Sequence, residues 1–221
     1  MDYVKKYWGA AVVFLLSLII LIPLFHAGSF PVHDDTQASR VFEMAQSLKD
    51  GMFPVRWVKD LGFGYGYPIF NFYSPLPYYI GALFVLIGIN ALLSAKIVMA
   101  IAVVVAGLGM YWFIKTFFDE FSAVAAGVIY LFFPYFAVNI FVRGAVDEFF
   151  AYALLPLIFL GFFKIHYESQ SKKLPLRWVL ATAFFFALVA LAHNLTAFMV
   201  GIMLIFFFIF SLLFQKREKW L

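Results

Sequence analysis

Long apolar runs separated by short polar segments dominate this chain. A membrane-spanning helix needs about 20 apolar residues, with roughly 17–25 usual. The pattern therefore predicts an all-α polytopic membrane protein, a helical bundle within the bilayer. Seven apolar runs are candidates for crossing, at 7–25, 76–93, 97–114, 121–142, 149–163, 178–192 and 195–214.

The run 76–93 is the weakest of these candidates. Pro75 and Pro77 open it, and its clean apolar stretch, from Tyr78 to Ile89, has 12 residues. That length suits a re-entrant or interfacial helix better than a crossing. We therefore predict six transmembrane helices in a single domain, 1–221. The first span lies in 1–25, an outer loop with the non-spanning helix covers 26–93, and five further spans occupy 94–221.

Basic residues set the orientation, because lysine and arginine collect in the cytoplasmic loops of membrane proteins. Six spans put both termini and ten basic residues near the ends of the spans on that side, whereas seven would move the basic residues after 163 outside. The residues concerned are Lys5, Lys6, Lys115, Lys164, Lys172, Lys173, Arg177, Lys216, Arg217 and Lys219. The loops 26–75 and 143–148 and the pair His193–Asn194 then share the outer face.

Composition agrees with this class and narrows the chemistry. The chain is 65% hydrophobic and 13% charged, against about 45–50% and about 25% in soluble domains. It has no cysteine, which excludes disulfides, thiolate metal sites and a cysteine nucleophile. The net charge of +4 reports orientation, and no basic run indicates a nucleic-acid partner.

The first outer loop contains an amphipathic helix over 36–50. Its predicted apolar face is formed by Ala38, Val41, Phe42, Ala45 and Leu48, with Arg40, Glu43 and Lys49 off that face. Asp35 is placed to cap its N-terminus and Gly51 to end it. A helix needs one N-cap, so Asp34 is left as a candidate catalytic carboxylate. His33 is either its hydrogen-bond partner or a plain loop residue.

Aromatic residues crowd the rest of this loop. Tyr65 and Tyr73 belong to a Gly-, Pro- and aromatic-rich stretch over 62–79. Such rings could stack on a sugar or a polyprenyl chain, and an interfacial aromatic belt is the alternative for most of them. The glycines do not form a phosphate loop, because the Lys-Ser/Thr ending is missing.

A second polar cluster, Arg143, Asp147 and Glu148, lies between two apolar runs. Arginine can hold a phosphate through two parallel hydrogen bonds, and a carboxylate can act as a base, a metal ligand or an orienting group. A solvated loop is the alternative. His193 and Asn194 are candidate substrate-binding residues, with a polar turn between two helices as the alternative.

The motifs His33-Asp34, Gly51-Met-Phe-Pro54-Val-Arg56-Trp57 and Gly64 to Tyr79 resemble the prokaryotic membrane family labelled "6-pyruvoyl-tetrahydropterin synthase-related". That family is similar to the GT-C glycosyltransferases, which use polyprenyl-phosphate-linked sugars. The stretch around Arg143-Gly-Ala-Val-Asp147-Glu148 also resembles the second outer loop of oligosaccharyltransferase catalytic subunits. In this chain the acidic pair is adjacent, whereas those enzymes have one residue between.

The resemblance implies a GT-C-like membrane glycosyltransferase that transfers a sugar from a polyprenyl-phosphate donor at the outer face. Asp34 would be the base for the acceptor hydroxyl, Arg143 would hold the donor phosphate, and Asp147 or Glu148 would orient one of them. Asp34, Asp147 and Glu148 would be the ligands of a divalent cation, Mg or Mn, if one is bound.

The expected location is the plasma membrane of a prokaryote, with membrane lipids and the lipid-linked sugar as partners. The chain is expected to be the N-terminal part of a longer protein. The alternatives are a non-enzymatic component of lipid or polysaccharide transport, and an inactive fragment. A transporter should carry polar residues within its spans, and the charge here gathers at one face instead, which favours the enzyme.

Overall fold

A computed structural model describes residues 2–29, 31–169 and 175–214 of the chain. Most of these residues are helical, and no β-strand occurs among them apart from a lone bridge between Val58 and Tyr67. The basic residues Lys172, Lys173, Lys216, Arg217 and Lys219, on which the predicted orientation partly rests, lie outside the described residues. The α-helices are α1 Asp2–Leu21, α2 Gln37–Lys49, α3 Leu76–Leu86, α4 Ala91–Lys115, α5 Glu120–Leu131, α6 Pro134–Val138, α7 Val146–Glu168, α8 Leu176–Ala192 and α9 Asn194–Phe214.

Three described segments are long and apolar enough to cross a membrane, at Ala91–Lys115, Glu120–Arg143 and Val146–Glu168. The chain is therefore an all-helical protein with candidate membrane spans. Helix α7 has 23 residues, where the apolar run 149–163 predicted 15. It is longer because it begins at Val146 and takes the acidic pair into its first turn.

The predicted run 121–142 is a broken helix. Helix α5 ends at Leu131, α6 restarts at Pro134, and a π-helical turn over Asn139–Arg143 follows. Proline lacks a backbone N–H and fits the first position of a helix, so the restart falls there. The π turn then widens the helix just before the second polar cluster, and π turns are frequent at functional sites.

Close packing around α4 forms the main core. Helix α4 lies against α1, α5 and α7, and α7 lies against α8. A Cβ on Gly127 would lie 3.1 Å from the Gly107 carbonyl oxygen and 3.1 Å from Val13 Cγ2. Small residues at such crossings let helix backbones approach closely in a bilayer.

A second, smaller core joins α2, α3 and the loop between them. Its buried residues include Val41, Met44, Tyr78 and Ala82. Helix α3 has 11 residues and is followed by Gly88 in the left-handed region, at φ 99°. Its length is that of the short, non-spanning helix predicted within 76–93.

The buried face of α2 differs from the predicted one. Phe42 is exposed, whereas Glu43 is only 4% exposed and Met44 is fully buried. The difference arises because the following loop folds back over this face, where the Asp60 backbone N–H donates to Glu43 Oε2 at 3.3 Å. Burial raises the pKa of Glu43, an effect that this hydrogen bond opposes.

Candidate functional site

Backbone hydrogen bonds join the two polar clusters. The His33 N–H donates to the Val142 carbonyl at 2.9 Å, and the Asp34 N–H donates to the Arg143 carbonyl at 2.8 Å. Residues 33–40, called the first polar segment, therefore lie against residues 139–148, the second polar segment. Their sequence separation is roughly a hundred residues, so tertiary packing alone creates this contact.

Gly144 permits the two polar segments to approach each other closely. Its φ is 65°, in the left-handed region that favours glycine. A Cβ at this position would lie 2.6 Å from Val32 Cγ2 and 3.1 Å from the Asp34 carbonyl oxygen. A residue with a side chain would push the first polar segment away.

The Asp34 carboxylate is the centre of the cluster. Oδ1 accepts from Thr36 Oγ1 at 2.8 Å. Oδ2 accepts from Gln37 Nε2 at 2.8 Å, from Arg40 Nη1 at 3.0 Å and from the Tyr73 hydroxyl at 3.4 Å. The Asp34 side chain is still 25% exposed, so it is held in a fixed orientation and remains accessible.

Gln37 ties this carboxylate to the second polar segment. Its Nε2 also donates to the Gly144 carbonyl at 2.9 Å, and its Oε1 accepts from the Tyr78 hydroxyl at 2.8 Å. Both amide donors and the amide oxygen are thus engaged, which fixes the orientation of the side chain.

The expected cap of α2 is not Asp35. Thr36 occupies the N-cap position without a side-chain capping bond, and Asp35 is exposed. The reason is that Asp34, one residue earlier, takes the Thr36 hydroxyl and the Gln37 amide. Asp34 therefore organises the start of α2 in addition to any chemical role.

Asp147 lies in the first turn of α7 and is buried, with 6% of its surface exposed. A helix N-terminus favours a negative side chain at this position. Asp147 lies near enough to Asp34, Tyr73 and His193 to interact electrostatically with each of them. Burial, with the Asp147 charge next in size, raises the pKa of Tyr73, so this phenol keeps its proton for donation to Asp34.

Glu148 pairs with Arg143. Arg143 Nη2 lies 2.7 Å from Glu148 Oε2, and Nη1 donates to the Tyr135 hydroxyl at 2.8 Å and to Asn139 Oδ1 at 2.7 Å. Tyr135 in turn donates to Glu148. The guanidinium that the sequence assigned to a substrate phosphate is thus already shared among three protein groups.

The remaining predicted residues are dispersed. His193 follows α8, and its Nδ1 lies 2.7 Å from Thr196 Oγ1, while its ring is close enough to interact with Asp147 and Glu148. The Asn194 N–H donates to Ser74 Oγ at 3.2 Å. Tyr65 is 89% exposed in the turn after Leu61, outside the contacts that hold Asp34.

Sequence analysis did not identify several residues of the cluster. Gln37 and Arg40 were assigned to the amphipathic helix, and Tyr78 and Tyr135 to apolar runs. Arg40 offered no local signal, since it lies six residues after Asp34 and Asp34 precedes the helix. The tyrosines gave no local signal.

Two of the three predicted metal ligands are engaged with protein partners. Across the residues that the structure describes, no group of three or more His, Asp or Glu side chains is placed to hold a metal ion. Glu148 is taken by Arg143 and Tyr135, while Asp34 is taken by Arg40 and its neighbours. The donors present therefore do not fit a cation site shared by Asp34, Asp147 and Glu148.

Comparison with known proteins identifies a family. The family model for the 6-pyruvoyl-tetrahydropterin synthase related domain, described as a membrane protein, matches residues 70–220. Tyr73, Arg143, Asp147, Glu148, His193 and Asn194 lie in the matched part, whereas His33, Asp34 and Tyr65 precede it. No curated protein and no solved structure matches the chain.

Proposed function

The chain belongs to the 6-pyruvoyl-tetrahydropterin synthase related family of membrane proteins, and we propose that it acts as a GT-C-like glycosyltransferase. The reaction would move a sugar from a polyprenyl-phosphate donor to a hydroxyl acceptor at the outer face of the membrane. The observation that carries this proposal is the pairing of the 33–34 backbone with 142–143, which puts carboxylates from two distant segments into one cluster.

In the proposed reaction the acceptor oxygen bonds to the anomeric carbon while the bond from that carbon to the phosphate oxygen breaks. The acceptor proton passes to Asp34, the accessible carboxylate of the cluster. Polyprenyl phosphate leaves with the negative charge. A positioned base of this kind contributes roughly 10²–10⁴-fold to a rate.

The other residues have supporting roles in this proposal. Arg40, Gln37 and Tyr73 hold the Asp34 carboxylate through their hydrogen bonds. Asp147 is buried beside the cluster and acts on it electrostatically. Arg143, held by Glu148, stabilises the charge that develops on the departing phosphate.

The experiment is a transfer assay in proteoliposomes containing the full chain and a radiolabelled polyprenyl-phosphate sugar. Appearance of the label in a water-soluble acceptor supports the enzyme. Movement of intact donor between leaflets without transfer would instead support the transport alternative and contradict the proposed reaction.

The proposed topology has six spans, both termini in the cytoplasm, and the polar segments outside a prokaryotic plasma membrane. Tyr65 and Tyr167 are 89% and 71% exposed and fall on opposite sides in this arrangement. The chain has no native cysteine, so single cysteines can be introduced cleanly. We expect Tyr65→Cys to react with an impermeant maleimide in intact cells, and Tyr167→Cys to react only after lysis. Labelling of both from outside would contradict six spans.

A further inference from the structure

Lys96 is a buried lysine that the proposed reaction does not use. It lies in the second turn of α4 and is 8% exposed. Its Nζ donates to the His26 carbonyl at 2.8 Å and to the Gly28 carbonyl at 2.6 Å. An ammonium group has three donors, so one remains beyond these two bonds.

No carboxylate neutralises this charge in the described part of the chain. The ion pairs found there involve Arg40, Lys59, Lys115, Arg143 and Arg177. Burying a charge without a partner is strongly unfavourable. Two neutral carbonyls solvate the Lys96 ammonium without cancelling its charge, and an anionic ligand would cancel it.

Lys96 lies in the wall of a partly open pocket with about 70 Å³ of free volume. Sites that enclose a whole small molecule usually measure roughly 300–1,000 Å³, so a larger ligand would be only partly enclosed here. The wall is mainly apolar, with Leu24, Val32, Leu92, Met99, Ile140 and Val146. Asp35 is the other charged residue of the lining, and because it is exposed, water screens its charge.

The pocket shares a wall with the Asp34 cluster. Gln37 and Gly144 line it, and the same two residues are joined by the hydrogen bond from Gln37 Nε2 to the Gly144 carbonyl. A ligand in the pocket is therefore separated from the Asp34 carboxylate by a single side chain.

We propose that this pocket binds a phosphate-headed amphiphile, with the phosphate on Lys96 and the hydrocarbon chain on the apolar wall. Lysine binds phosphate as a point charge, and an apolar wall selects a lipid over a free sugar phosphate. In the ground state the charge of Arg143 is paired with Glu148, whereas no carboxylate in the described part of the chain pairs with Lys96, so Lys96 is the cation left to bind the donor phosphate. The proposal rests on the proposed function in one respect, the identification of this amphiphile with the sugar donor.

The test is calorimetric titration of the full chain in detergent with farnesyl phosphate, and separately with farnesol, inorganic phosphate and dioleoyl phosphatidic acid. We expect farnesyl phosphate to bind at least about tenfold more tightly than farnesol, as a charge-assisted hydrogen bond implies. Inorganic phosphate should not bind measurably. Tighter binding of phosphatidic acid would support the site and identify its ligand as a membrane phospholipid.

Matched variants locate the site. Lys96→Gln should lower the affinity for farnesyl phosphate at least about tenfold. Lys49→Gln, at an exposed position on α2, should leave that affinity unchanged. Equal affinity in Lys96→Gln and the native chain, or equal binding of farnesol and farnesyl phosphate, would overturn the proposal. Binding of inorganic phosphate with the same affinity as farnesyl phosphate would also overturn the proposal.

Lys96→Gln also removes two hydrogen bonds, so it could fail to fold. In that case Lys96→Arg should keep binding and Ala38→Phe, which fills the pocket from the half-buried face of α2, should lose it. Retained binding in Ala38→Phe would contradict the site. Binding of farnesyl phosphate without any sugar transfer would contradict the proposed function and support the binding pocket. Sugar transfer at an unchanged rate and donor affinity in Lys96→Gln would support the proposed function and contradict the pocket.

Discussion

Asp34→Asn is expected to lower sugar transfer by roughly 10²–10⁴-fold, the contribution of a positioned base. Asparagine has nearly the same shape and cannot take the proton from the acceptor hydroxyl. The measurement is the initial transfer rate in proteoliposomes at saturating donor. Asp60→Asn is the matched control, since Asp60 is exposed in the same loop region, and its rate should equal that of the native chain.

Asp34 also holds the start of α2, so loss of activity needs a second readout. Titration with farnesyl phosphate provides it, because the pocket shares Gln37 and Gly144 with the cluster. Retained binding with lost transfer would identify a chemical role. Loss of both would assign Asp34 a structural role, and full transfer by Asp34→Asn would remove it from the reaction.

Gly144→Ala is expected to separate the two polar segments. Alanine in the left-handed region costs roughly 1–2 kcal/mol, and Gly51→Ala shares this cost, because Gly51 has φ 84° with no atom near its Cβ position. The added methyl at residue 144 must also displace Val32 and the Asp34 backbone. We expect the free energy of unfolding of Gly144→Ala to fall about 1–3 kcal/mol below that of Gly51→Ala, the usual cost of overpacking.

Two measurements check this difference. Thermal unfolding in detergent compares the two glycine variants directly. Oxidative cross-linking of His33→Cys with Val142→Cys reports the contact itself, because their backbones are hydrogen-bonded at 2.9 Å. Equal unfolding temperatures for the two glycine variants, or unchanged cross-linking in Gly144→Ala, would show that residue 144 does not need to be glycine.

Sequence pattern predicted the elements of this protein better than their contacts. The pattern predicted α2 within one residue of its ends, because its apolar residues recur at helical spacing. Hydropathy gave the membrane class, which the family match confirms. Both are local properties, so they can be read from neighbouring residues.

The misplaced residues depend on distant packing. Glu43 was expected to face solvent, and the loop residue that covers it lies 17 positions away. Arg143 was expected to bind a phosphate. Instead it follows a π turn, which periodicity does not reveal, and it donates hydrogen bonds to Asn139 and Tyr135. Lys96 lies beside an apolar run and was passed over, although a charge there is the kind of exception that marks a site.

The amide of Gln37 has a thermodynamic consequence. It is bonded at once to Asp34, Gly144 and Tyr78, and it forms part of the pocket wall. A pocket ligand that shifts this amide would change the affinity of the Asp34 cluster for an acceptor, and an acceptor at Asp34 would then change the affinity of the pocket by the same factor. Through the rotamer of one glutamine, each substrate would raise or lower the affinity for the other.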